Sequence, residues 1–445
     1  MRARELENEA TRVMNDALRA IVERAEPLVI IDSPPGAGKT WFCERLIALA
    51  DAHRLRVCYV TPKVEQGCDL ARRLLEVHPP FEIDLLAGRG RTVPGDLRSR
   101  VGWSSDPAAV GGIGRLVISN PAMLAVHRDR LPAHHFDVLL VDEAYQVPTK
   151  EFLPIADLAA RVVLVGDPGQ LAPTITIDTS EFESAGSRIH WAAPREIRRL
   201  HPGVPVFRLP ASRRLVEDTV RIVQPSFYPD LPFRSAAPNE ERRLGFDALG
   251  MNHPIDRALD LLERGQSIVA LVIPGEPPVA DGRDPALEDL VAGTVQRLLQ
   301  RGPSWIGRRR LDQQDVGLVD SHVLSGGAMR ARLQERGLND IRVATPELWQ
   351  GQECPIMVAK HPLNVGRADP GAFDLDPGRF CVMLSRHQLA CILVGRESIQ
   401  RQLESYMHDT RPTPIGSVDS VWNGYRAHSS VWAALLDGNR VIRAA

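Results

Sequence analysis

The sequence predicts an α/β chain built as two tandem αβα domains. Three observations carry that expectation. Short, wholly apolar runs such as Leu28–Ile31, Val138–Val141 and Val162–Val165 alternate with helix-period stretches, the pattern of parallel strands covered on both faces. A glycine-rich turn stands between the first of these runs and a helical stretch. Further apolar runs at 267–273, 315–321, 341–345, 355–359 and 390–395 repeat the alternation in the second half. At 445 residues the chain is too long for one core and suits two or three domains.

Hydrophobic residues make up 44% and charged residues 25%, with a formal net charge of −2. This is an ordinary globular composition. Any polyanion site is therefore a local groove and not the whole surface. Six cysteines (Cys43, Cys58, Cys68, Cys354, Cys381, Cys391) form no CxxC pair, and several lie inside apolar runs. They read as reduced core thiols, neither a metal site nor a disulfide framework. His134 and His135 have no partners at ligand spacing and read as loop residues. The N-terminal stretch MRARELENEATRVMNDALRAIVERA is charged throughout and lacks the apolar centre of a signal peptide. No apolar run reaches the roughly 18 residues of a membrane span. The expectation is a cytoplasmic chain without membrane contact.

The glycine-rich turn is SPPGAGKT, residues 33–40, and the helix pattern after it carries Phe42, Leu46, Ile47 and Leu49. Strand, glycine loop and helix in that order is the context of a phosphate-binding loop. Gly36 and Gly38 let backbone N–H groups curl around phosphate oxygens. Lys39 reaches the β- and γ-phosphates, and Thr40 offers a hydroxyl to Mg²⁺. The nucleotide-binding stretch is Pro35, Gly36, Ala37, Gly38, Lys39, Thr40 and Trp41, with ATP and Mg²⁺ as expected cofactors. About 100 residues on, FDVLLVDEAYQVP runs from a buried strand into two acids. Asp142 is expected to hold the metal with Thr40, and Glu143 to polarise the attacking water.

A further apolar strand ends in GDPGQLAP. DEAYQ followed by VGDPGQLAP resembles motifs II and III of the superfamily 1 helicases, in the branch that includes the nonsense-mediated-decay RNA helicase and its DNA relatives. The resemblance continues along most of the chain. VCYVTPKVEQGCDLARRL (57–74) is similar to motif Ia, VISNPAML (117–124) to a later backbone-contacting strand end, VFRLPASRRL to motif IV, VATPELWQGQECPIMV to motif V and GRFCVMLSRHQLACILVG to motif VI. It implies two RecA-like domains, a helicase core with few insertions. It assigns Gln170 to sensing the γ-phosphate, with Gln146 helping to pass that state on. It assigns Arg214 and Arg386 to arginine fingers, Glu353 to the nucleotide, and Thr61, Pro62, Asn120 and Thr345 to the nucleic-acid backbone. Two guanidiniums suit the charge spread over a transferring phosphoryl group. The chain also resembles compact helicase-like ATPases of high-GC Gram-positive bacteria.

The sequence departs from the family at three places. The stretch LENEATRVMNDAL upstream of the phosphate loop has no glutamine to read adenine, so the choice of nucleoside triphosphate stays open. Lys63 stands where small polar residues are usual. Trp349 replaces a common phenylalanine and reads as core packing or as a base-stacking ring. The loop AGRGRTVPGDLRSRVGW, with Arg89, Arg91, Arg98, Arg100 and Trp103, reads either as a phosphate-tracking groove or as a solvated loop. GRRR at 307–310 reads as a surface charge run.

The expected organisation is an N-terminal helix (1–25), a first RecA-like domain (26–203), a second (204–411) and C-terminal capping helices (412–445). The expected function is a nucleic-acid-dependent NTPase that translocates on single-stranded DNA or RNA, 5′→3′ by resemblance to its branch. The alternative is an ATP-dependent switch or binding module acting with a protein partner, such as a nuclease in defence or repair, without processive unwinding. A small-molecule kinase on the same phosphate loop is disfavoured by the glutamine strand and the late arginines.

Overall fold

The computed structural model describes residues 2–77, 82–88, 92–106, 115–173, 179–238, 241–278, 283–364, 371–407 and 420–444. The chain divides into two compact units. The first comprises Glu5–Pro168 with Ala172–Ala211, and the second comprises Ser212–Ala445 with Met1–Arg4 and Gly169–Leu171.

The first unit is built on eight parallel strands: β1 (Leu28–Asp32), β2 (Val57–Val60), β3 (Glu82–Leu86), β4 (Gly102–Ser104), β5 (Arg115–Ser119), β6 (Phe136–Val141), β7 (Ala159–Gly166) and β8 (Val206–Arg208). Their order is β4-β3-β5-β2-β6-β7-β1-β8, and every pairing is parallel. The apolar runs are continuous because both faces are covered. Val29, Ile31, Val138 and Leu140 pack into one core with α1 (Arg2–Val22), α2 (Lys39–Ala52) and α3 (Val64–Val77). Ile30, Leu139 and Val141 point the other way, into a core with Leu124, Phe152 and Ile197. Side chains two apart share a face, so each strand feeds both cores.

The second unit has a six-stranded parallel sheet in the order Arg342–Ala344, Val316–Val319, Cys354–Lys360, His387–Arg396, Ile268–Ile273, Val441–Arg443. Its faces alternate in the same way. Ala270, Met357 and Leu393 enter one core, and Leu271, Val358 and Ile392 the other. Each unit is thus an αβα sandwich of the RecA-like kind expected from the sequence.

Three details differ from the sequence reading. Val206–Arg208, placed near the start of the second domain from Val204, instead pairs with Ile30–Asp32 as the edge strand of the first sheet. Prolines on both sides of that short run hide its strand character. Among the described residues, the C-terminal stretch holds the helix Ser420–Asp437 and then a strand, Val441–Arg443, beside Ile268–Ile273. Capping helices alone were expected there. The second unit also carries a small antiparallel sheet of Leu244–Phe246, Pro303–Trp305 and Arg309–Arg310.

All six cysteines are buried and unbridged. Among the described residues, no helix is long and apolar enough to cross a membrane.

Candidate functional site

In the first sheet all the strands point one way, so their C-terminal ends line one edge. Such an edge is where open α/β sheets bind ligands. The phosphate-loop residues follow β1, Thr61 and Pro62 follow β2, Asn120 follows β5, Asp142 and Glu143 follow β6, and Asp167 follows β7.

The loop between β1 and α2 turns on two glycines in the left-handed region, Gly36 (φ 71°) and Gly38 (φ 97°), a conformation other residues rarely adopt. Ser33 N–H donates to Gly166 O at 2.9 Å and Ala37 N–H to Pro34 O at 3.1 Å. Gly38 caps α2 without any side-chain acceptor. The first N–H groups of such a helix have no intrahelical partner, the arrangement that favours anions at helix N-termini.

Lys39 opens α2. Its ammonium is ion-paired with Glu143 and stands 3.4 Å from Asp142 Oδ1. Burial disfavours its charge, but Asp142, Glu143 and Asp167 outweigh that and hold it well above the usual lysine range. Asp142 is itself fixed from two sides. Tyr59 Oη donates to its Oδ2 at 2.6 Å, and the Glu143 N–H donates to its Oδ1 at 2.8 Å.

Glu143 takes a left-handed backbone (φ 52°, ψ 36°), which costs an L-residue about 1–2 kcal/mol. The turn it begins, Ala144–Gln146, lies close against Gly166. Among the described residues, the buried Nε2 of the Gln146 side chain has no hydrogen-bond partner. Tyr145 Oη donates to Asp32 Oδ1 at 2.6 Å, and Arg198 also reaches Asp32, at 3.2 Å. Burial lifts the Asp32 carboxyl above the usual range, against the opposing effects of Tyr145, Arg198 and Arg208.

The residues matched to the nucleic-acid backbone are already engaged locally. Thr61 is fully buried, and its hydroxyl donates to Gln66 Oε1 at 2.6 Å. Pro62 and Asn120 are half-buried, and Asn120 Oδ1 caps the helix Pro121–Val126 by accepting from Met123 N–H at 2.9 Å. Thr345 follows the strand Arg342–Ala344 and stands at the start of the helix Pro346–Trp349.

In the second unit the arginine candidates gather at the opposite edge, before the strands begin. Arg214 Nε donates to Glu353 Oε2 at 2.5 Å, and Gln388 Nε2 donates to Glu353 Oε1 at 2.7 Å. Partial burial opposes charge on Glu353, but Arg214, Gln388 and Arg242 keep its carboxyl below the usual range. Arg386 is 2% exposed, donates to Ser385 Oγ at 3.2 Å, and accepts the Cys354 N–H on its carbonyl at 3.0 Å. Gln170 is half-buried.

Several side chains in these networks escaped the sequence reading. Tyr59, Asp32 and Tyr145 each look like strand or turn packing in one dimension. An aspartate closing an apolar strand just before a phosphate loop was the one available signal. Trp349 belongs to the core: it is 2% exposed and its Nε1 donates to Leu318 O at 3.0 Å. In the basic loop, Arg89 and Arg91 lie outside the described residues. Arg98 and Arg100 are exposed, while Trp103 packs against the first core. The three arginines at 308–310 are paired with Glu241, Asp315 and Asp247, as a surface charge run would be.

Among the described residues no group of three or more His, Cys, Asp or Glu side chains could hold a metal alone. Mg²⁺ bound with a nucleotide needs no such cage, since phosphate oxygens and water complete its shell. The carboxylate of Asp142 and the hydroxyl of Thr40 are hard oxygen donors of the kind it takes.

A family model described as an AAA domain matches residues 123–177, the stretch that holds β6, the paired acids and β7. No curated protein matches the sequence. Among solved structures, the chain is similar to the helicase of PRRSV at 14% identity and a TM-score of 0.42, over 89% of this chain and 56% of that one. It is similar to S. cerevisiae Dbp5 bound to RNA and ADP BeF3 at 10% identity and a TM-score of 0.47, over 97% and 88%. It is similar to the Escherichia coli DEAH/RHA helicase HrpB at 10% identity and a TM-score of 0.46, over 88% and 43%. The chain spans 56% of the length of the PRRSV helicase and 63–64% of that of the arterivirus helicases it matches.

Proposed function

We propose that this chain is a nucleic-acid-dependent nucleoside-triphosphate hydrolase of the superfamily 1 helicase type. The observation that carries the reading is the lysine at an uncapped helix N-terminus, after two left-handed glycines, closed onto two adjacent carboxylates at the end of β6, one strand removed from β1. A cation beside the N–H groups of a helix N-terminus selects a polyphosphate. Two acids beside them supply one ligand for a metal and one base for water.

In this reading Gly36, Gly38, Lys39 and Thr40 bind the phosphates, with Pro35, Ala37 and Trp41 completing the stretch. Thr40 and Asp142 would hold Mg²⁺, which would supply positive charge to the phosphates. Glu143 orients and deprotonates the attacking water. Gln170 reads the γ-phosphate, and the buried Nε2 of Gln146, which has no hydrogen-bond partner among the described residues, is a donor available to the same network. Arg214 and Arg386 supply positive charge to the transferring phosphoryl group, with Glu353 at the nucleotide. Thr61, Pro62, Asn120 and Thr345 mark strand ends that track a single-stranded DNA or RNA backbone. Translocation runs 5′→3′ by resemblance to the branch that DEAYQ resembles.

The test is Mg²⁺-dependent ATP hydrolysis by the purified chain beside Lys39→Ala. The reading expects turnover in the wild type and at least about 10³-fold less in the variant. Equal rates would sink it.

A further inference from the structure

The paired acids sit on a turn that something must hold. Glu143 has a left-handed backbone, and Ala144–Gln146 continues it as a single tight turn. The sheet order β6-β7-β1 puts one strand between that turn and the phosphate-loop strand. Tyr145 bridges the gap. Its ring lies over Gly166 at the end of β7, where an added Cβ would come within 3.0 Å of Tyr145 Cδ2 and 3.1 Å of the Ala144 and Tyr145 nitrogens. Its hydroxyl reaches Asp32, the last residue of β1, at 2.6 Å. Asp32 is 2% exposed, and its second oxygen faces Arg198 at 3.2 Å and Arg208 at 3.9 Å.

We infer that Tyr145 and Asp32 form a positioning pair for the proposed hydrolysis: the hydroxyl–carboxylate bond across Gly166 locks the turn that aims Glu143 relative to the phosphate loop. Neither residue touches the reacting atoms. Glycine at 166 is part of the device, because a Cβ there would crowd the Tyr145 ring and the backbone of the turn, which would have to give by a few tenths of an ångström. Arg198 and Arg208 face the second oxygen of Asp32 and offset part of the cost of burying its charge. The inference rests on the hydrolase reading and adds residues that its motifs leave out.

Tyr145→Phe removes one oxygen and keeps the ring on Gly166. The expected result is a fall of about 10- to 100-fold in kcat with KM for ATP within about twofold, because the phosphates are held by other groups and only the aim of Glu143 is lost. Asp32→Ala should fall similarly, and the double variant should be no slower than the slower single, since both remove one bond. Wild-type kcat in Tyr145→Phe, or fully multiplicative losses in the double, would overturn the pairing. Lys39→Ala run in parallel separates the two claims. If the wild type itself shows no Lys39-dependent turnover, the hydrolase reading fails. The pair is then judged by amide hydrogen exchange over residues 142–147. Tyr145→Phe should speed that exchange by about tenfold or more, and unchanged exchange would overturn it.

Discussion

The ammonium of Lys39 and the carboxylate of Glu143 are closed on each other, with Asp142 Oδ1 3.4 Å away. One cation and two carboxylates occupy the place where the proposed reading puts a triphosphate. A nucleotide must therefore draw Lys39 away from Glu143 as it binds. Glu143→Gln removes the competing charge as well as the proposed base. The expected outcome is loss of turnover by about 10³-fold or more with nucleotide affinity equal to or tighter than wild type. Turnover at the wild-type rate would remove Glu143 from the chemistry. Weaker nucleotide binding would contradict the competition.

Arg214 is held by Glu353, which also accepts from Gln388, and Arg386 is buried just before the strand His387–Arg396. If both arginines act on the phosphoryl group, Arg386→Ala lowers kcat by at least about 10²-fold with little loss of nucleotide binding. Glu353→Gln frees Arg214 of its ion pair and should leave a smaller defect than Arg214→Ala. Unchanged kcat in Arg386→Ala would show that its guanidinium serves the fold of the second unit alone, a possibility that its melting temperature would report.

Trp349 packs on Gly317 and donates to Leu318 O. Trp349→Ala should destabilise the second unit by about 3–5 kcal/mol, read by urea unfolding. Trp349→Phe keeps most of the volume and should leave the concentration of single strand needed for half-maximal stimulation unchanged within about twofold. A large loss of strand affinity with normal stability would restore the base-stacking role.

Stability of the second unit should fall in mild acid. Burial drives His361 well below the usual imidazole range, with the neighbouring His428 adding to the effect. Burial also brings His387 and His428 down to about 3, against smaller upward pulls from Asp218 and Asp374. Each ring is neutral in the fold but takes a proton near pH 6.5 when unfolded. Protons thus favour the unfolded chain. The contribution is complete above about pH 6.5 and shrinks by roughly 1.4 kcal/mol per pH unit for each ring on the way down. Urea unfolding at pH 7.5 and 5.5 should differ by several kcal/mol. Equal midpoints would mean that these rings are protonated in the native state.

The sheets were legible because both are parallel and covered on both faces, so strands such as Val138–Val141 and Val162–Val165 read as unbroken apolar runs. The phosphate loop was legible because its glycines answer a backbone need that few other residues meet. Val206–Arg208 was assigned to the wrong domain because a three-residue edge strand has no periodicity of its own, and only its partner at Ile30–Asp32 defines it. Val441–Arg443 was missed for the same reason. The bonds from Tyr59 to Asp142 and from Tyr145 to Asp32 join residues 83 and 113 positions apart. Such pairs depend on strand order, which local pattern does not contain.

The most direct measurement of the central claim is steady-state ATP hydrolysis with and without single-stranded DNA and single-stranded RNA, at low and moderate salt. The account predicts strong stimulation by at least one polymer, weakening steeply as salt rises because phosphate contacts release counterions. A low rate that neither polymer changes would contradict a nucleic-acid-driven hydrolase and favour a nucleotide switch that answers to a protein partner.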